Sequence, residues 1–129
     1  MSPAPDLTQG QLEAEISKSI IRFEKEALGR GPTEVRTRIF DDIVFVRLKG
    51  VLTPAEHSLG KLEEGSTLLK ELRSRLIQVS RPLLENALQE LTGQRILSLY
   101  TDVNLDTGER IIVFVLDANI EQRLRRQKS

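Results

Sequence analysis

The sequence predicts an α+β domain: two β-hairpins forming a four-stranded antiparallel sheet, covered by an N-terminal helix and a long, kinked central helix. Three observations predict it. Residues 34–49 alternate between apolar and polar side chains on both sides of Asp41-Asp42, the period-two signal of paired strands. A second alternation runs from Leu97 to Val103 and leads, through Asp106-Thr107-Gly108, to the apolar run RIIVFVL. Apolar residues recur at helical spacing before the first hairpin and again between the two hairpins.

In chain order, residues 1–7 read as a disordered lead-in with Pro3 and Pro5. A single domain spans 8–118, and 119–129 is a basic tail ending as a frayed helix. Thr8 with Gln11 matches a capping box. Leu12, Ile16, Ile20, Phe23 and Ala27 then form one apolar stripe. Gly29 is placed to cap this helix, and Pro32 bars its continuation. With Asp41-Asp42 as a two-residue loop, Phe40 faces Ile43, Ile39 faces Val44, Thr37 faces Val46 and Val35 faces Leu48. Every pair joins like with like, and a one-residue slip would turn the apolar face to water.

Thr53, Pro54 and Glu56 combine a cap, a first-position proline and a capping box, the strongest local helix start in the chain. Gly60 and Gly65 are expected to interrupt that helix. A longer helix follows, with Leu69, Leu72, Leu76, Val79 and Leu83 expected on its buried stripe. Pro82 lies inside that stripe, so a kink or break near Ser80 is expected. RIIVFVL is apolar on both faces, and a sheet of only four strands leaves it short of cover. A homodimer using apolar sheet or helix surface is therefore expected.

The chain has 129 residues, the size of one domain. Its 19 basic residues balance 19 acidic ones, which argues against nucleic acid as a partner. It has no cysteine, which excludes disulfides, thiolate metal sites and thiol catalysis. No apolar run approaches the roughly 18–20 residues that span a bilayer, and no signal peptide is visible at the N-terminus. A cytoplasmic location is the expectation.

Candidate chemistry is sparse. Arg30 in Gly29-Arg30-Gly31-Pro32, with Arg36 and Arg38 on the following strand, can fork a small oxyanion. A cap followed by a turn explains the same glycines without a ligand. Asp41-Asp42 with Glu56 offers hard oxygen ligands for a cation, but a polar hairpin tip is the plainer reading. His57, the single histidine, falls on the first turn of a helix, with no cysteine to share a zinc ion. Ser66, Ser80 and Ser98 lack a nucleophile-elbow context. No catalytic residue, metal site or cofactor is expected, and the chain is not read as an enzyme.

Two long segments, GQLEAEISKSIIRFEKEALGRGPTEVRTRIFDDIVFVRLKGVLTPAE and TDVNLDTGERIIVFVLD, resemble the bacterial MpsC-like domain. The resemblance covers about Gln11 to Asp117. The matching motif positions are Gly29, Arg30, Gly31, Pro32, Arg36, Thr53, Pro54, Glu56, Asp102, Thr107 and Gly108. The family is labelled a component of a sodium-translocating system that generates membrane potential. The resemblance implies a cytoplasmic accessory or regulatory module, membrane-associated through a protein partner of an ion- or bicarbonate-handling system. It brings no catalytic residues. The alternative is a small-anion or nucleotide sensor built on the arginines around the GRGP turn.

Overall fold

A computed structural model of the protein describes residues 7–127. The expected lead-in lies outside them except for Leu7, which packs against the core. The elements are α1 (Gln9–Leu28), β1 (Glu34–Phe40), β2 (Ile43–Lys49), α2 (Pro54–Gly60), α3 (Glu63–Thr92), β3 (Ile96–Asn104), β4 (Glu109–Leu116) and α4 (Ile120–Gln127). The four strands form one antiparallel sheet in the order β1-β2-β4-β3, so each hairpin supplies one edge and one central strand. This is the α+β architecture expected from the sequence.

The first hairpin has the expected register, with Phe40 opposite Ile43, Thr37 opposite Val46 and Val35 opposite Leu48. Asp41 takes a positive φ of 54°, so a residue that tolerates this region only moderately closes the turn. The turn is also used by other elements. The Asp42 carbonyl accepts from the Leu116 amide at 2.8 Å, and the Asp41 carbonyl accepts from the Glu121 amide at 3.2 Å.

The core lies on one side of the sheet. Ile39, Val44, Val46, Leu48, Ile112, Phe114 and Leu116 point inward. They meet Leu12, Ile16 and Ile20 of α1 and Leu69, Leu84 and Leu88 of α3. The basic C-terminal segment folds back: Ile120 and Leu124 of α4 enter the same core. Among the described residues, nothing gives the opposite face of the sheet such cover. Phe45, Val113 and Val115 are half-buried there, beside exposed Phe40 and Tyr100.

Four local expectations need correction. Of the kink or break expected near Ser80, the break does not occur: α3 runs unbroken through Pro82 for 30 residues. Proline removes one helical hydrogen bond, but Ile77 before it and Leu84 and Leu88 after it anchor both halves in the core. Gly65 does not interrupt a helix. It sits in the first turn of α3, where a Cβ would come within 2.1 Å of the Leu59 carbonyl, so glycine permits the close approach of α2.

The buried stripe of α3 is also different. Leu69, Arg73, Ile77, Leu84 and Leu88 face the core, whereas Leu72, Val79 and Leu83 are 53%, 81% and 70% exposed. The leucine spacing follows a repeat of 3.5 residues, which drifts off the core face of a 3.6-residue helix. Finally, Leu97 points outward because the β3–β4 ladder shifts register between Ile96 and Ser98. That extra residue hands the core position to Ile96.

Candidate functional site

The residues singled out in the sequence do not gather at one place. Gly29 is the left-handed cap of α1, with φ 77° and its amide donating to the Lys25 carbonyl. Gly31 lies under the Lys25 side chain, and Pro32 is half-buried. Arg30 is exposed in that loop. Arg36 and Arg38 stand on the exposed outer face of edge strand β1. Arg36 approaches Glu34 at 3.9 Å, and Arg38 donates to the Thr37 carbonyl.

Thr53 and Pro54 open α2 as expected. The Thr53 Oγ1 accepts from the Glu56 amide at 3.1 Å, and the Glu56 carboxylate accepts from the Thr53 amide at 2.9 Å. Gly108 takes φ 72° in the β3–β4 turn, and its carbonyl accepts from the Val51 amide. His57 is half-buried, with Nε2 3.4 Å from the Asp106 carbonyl. Asp41 and Asp42 remain at the hairpin tip. Among the described residues no three His, Asp or Glu side chains are grouped to hold a metal.

A different set of charges lies inside the molecule. Glu24 of α1, Arg73 of α3 and Arg110 of β4 are buried at 1%, 8% and 3% exposure. Each occupies a position that its element's periodicity aims at the core. Glu24 follows Ile20 by one helical turn, Arg73 falls between Leu69 and Ile77, and Arg110 shares inward parity with Ile112 and Phe114.

Arg110 Nη1 donates to Glu24 at 2.5 Å, and its Nε donates to Thr101 Oγ1 at 3.0 Å. Arg73 Nη2 donates to the Val51 carbonyl at 2.8 Å and to both Glu56 oxygens at 3.1 and 3.2 Å. The capping glutamate of α2 thus also ties α2 to α3. Arg110 Nη2 and Arg73 Nε are buried without any partner.

The electrostatics are correspondingly unbalanced. Burial pushes the Glu24 carboxyl above its ordinary value, more than Arg110 and Arg73 pull it down. Burial likewise lowers the Arg110 guanidinium, and the Arg73 charge lowers it further, against the pull of Glu24. Glu56 moves the other way. Partial burial opposes its ionisation, but the Thr53 amide and Arg73 together hold its carboxyl below the usual range.

Arg73 and Arg110 both line a cavity of about 490 Å³ between α3 and β3. Its floor includes the buried Ile77, Leu99 and Val103, and its rim the exposed Lys70, Ser74, Gln78, Arg81 and Tyr100. Arg81 pairs with Glu85 at 2.6 Å. Arg30, Arg36 and Arg38 take no part in it. Sequence reading missed Glu24, Arg73 and Arg110. Their signal was present, as charged residues at positions that the surrounding apolar pattern assigns to the core.

No solved structure matches the chain. Over 119 residues it is 40% identical to the Uncharacterized protein YbcI of Bacillus subtilis (strain 168), covering 92% of this chain and 96% of that one. It is 26% identical over 110 residues to the Uncharacterized protein YrhF of the same organism, covering 84% and 90% of the two chains. The family model described as Na+-translocating membrane potential-generating system (MpsC) matches residues 8–118, nearly all of the folded region, and the chain belongs to the MpsC family.

Proposed function

We propose that this protein is a non-enzymatic accessory or regulatory module of a bacterial ion-handling membrane system, acting on the cytoplasmic side as a homodimer. The family description supports the link to such a system. Among the described residues no helix is long and apolar enough to cross a membrane, so an auxiliary role suits the chain better than a helical ion path.

The observation that carries the reading is the outward stripe of α3. Leu72, Leu76, Val79 and Leu83 alternate steps of four and three, the seam spacing of a two-helix coiled coil. Three of them are more than half exposed. A second copy of α3 is the occupant that this spacing fits. The uncovered sheet face, half-buried Phe45, Val113 and Val115 beside exposed Arg36, Arg38 and Arg47, has the apolar centre and charged rim of a non-obligate interface. It is the surface we assign to a protein partner of the membrane system.

The test pairs Leu72→Glu/Val79→Glu with Phe45→Glu. In sedimentation, the wild type is expected to be a dimer at micromolar concentration and the α3 variant a folded monomer. The Phe45 variant is expected to stay dimeric and to lose co-purification with membranes. A wild type that sediments as a monomer sinks the α3 interface. Membrane recovery that is equal for all three chains sinks the partner surface.

The sensor reading at Arg30, Arg36 and Arg38 has less behind it. All three side chains are exposed, and two of them already have polar partners.

A further inference from the structure

We propose that the cavity between α3 and β3 binds a small organic anion, with its carboxylate or phosphate group held by Arg73 and Arg110 and closed over by Lys70. This site is separate from the GRGP turn and does not depend on the accessory role proposed above.

The first support is unused donor capacity. A guanidinium carries five N–H groups. Arg110 commits Nε and Nη1, and Arg73 commits only Nη2. Each also has a buried nitrogen with no partner. A buried donor left unsatisfied costs about 1–3 kcal/mol, more for a charged group. Two such arginines lining one cavity are hard to justify on stability alone, because an apolar pair of similar volume serves a core as well or better. An oxyanion supplies acceptors for both and relieves the repulsion between them.

The second support is the remaining basic charge at the rim: four basic side chains line the cavity against one carboxylate, Asp102. Lys70 lines the cavity and, among the described residues, has no ion-pair partner. The guanidiniums of Arg73, Arg81 and Arg110 are each tethered by a glutamate, which fixes their position. Lys70 is left on a flexible stem at the mouth, suited to close on a ligand rather than to build the wall.

The third support is size and lining. A volume of about 490 Å³ lies within the range of organic-ligand pockets and far exceeds a single inorganic oxyanion. Leu28, Ile77, Leu99 and Val103 provide an apolar wall, and Ser74 and Tyr100 add hydroxyls. That combination fits a molecule with one anionic group and an apolar or ring portion.

The experiment is calorimetric titration and thermal shift of the intact chain with inorganic phosphate, hexanoate and adenosine monophosphate. At least one organic anion is expected to bind saturably and raise the melting temperature, more strongly than inorganic phosphate. The member that binds distinguishes carboxylate from phosphate. Lys70→Ala should weaken its Kd about tenfold, the loss of one charge-assisted contact. Ser74→Trp should block the mouth and abolish binding. Both positions are exposed, so both variants should melt like wild type without ligand. Arg30→Ala should bind normally. The proposal fails if no organic anion in the panel binds, if inorganic phosphate binds as tightly as the organic anions, or if Lys70→Ala and Ser74→Trp bind as wild type does.

Discussion

Removing Arg110 tests whether the buried charges are a structural requirement or are kept for another reason. Arg110→Met preserves most of the side-chain length and deletes the cation. It leaves Glu24, 1% exposed, without its hydrogen-bonded partner. Breaking a buried pair by removing one member costs about 3–5 kcal/mol, because the remaining charge stays desolvated. Domains of this size are stable by roughly 5–15 kcal/mol. With a urea slope of about 2 kcal/mol/M, the unfolding midpoint should fall by roughly 1.5–2.5 M.

The loss should also depend on pH. The Glu24 carboxyl already sits above its ordinary value in the folded protein, and deleting Arg110 raises it further. A carboxyl raised on folding leaves stability fully present below its unfolded pKa and lost as pH rises through its folded pKa. Arg110→Met should therefore be least harmful in mild acid and most harmful near neutrality. Glu24→Leu/Arg110→Met removes both charges and should return to within about 1 kcal/mol of wild type, or exceed it. Urea melts of the four chains of this cycle at two pH values decide the matter. A single variant that loses under about 1 kcal/mol, or a double variant as unstable as the single, refutes the reasoning.

Two further outcomes concern α2. Thr53→Ala removes the cap that accepts from the Glu56 amide and should cost about 0.5–2 kcal/mol in urea unfolding, with the slope unchanged. Glu56→Gln should flatten the acid side of the pH–stability profile. The Glu56 carboxyl is held low in the folded protein, so its contribution is present above its unfolded pKa and lost as pH falls through its folded pKa. An unchanged acid limb would mean that the Thr53 amide and Arg73 together contribute little.

The elements that local chemistry specifies were legible in the sequence. The first hairpin could be registered residue by residue, because period-two alternation on both arms admits only one pairing that keeps the apolar face together. The α1 and α2 starts could be placed, because a capping box is complete within four residues. The face of α3 could not be read the same way. Its leucines step by three and four residues, whereas its core contacts step mostly by four, so the more conspicuous stripe faces outward and the buried one includes an arginine.

The cavity is less legible for a further reason. Arg73 can be suspected from its place between Leu69 and Ile77, but nothing nearby names its partner. That partner is Glu56, which local chemistry already explains as part of a cap. The partner of Arg110 is 86 residues away, on a helix that reaches β4 only once the whole sheet is assembled. A charged residue at a core position is a local signal. The site it belongs to is a property of the topology, here the central position that the strand order gives β4 between β2 and β3. Arg110 meets Glu24 and shares a cavity with Arg73 because the second hairpin inserts its last strand beside the first.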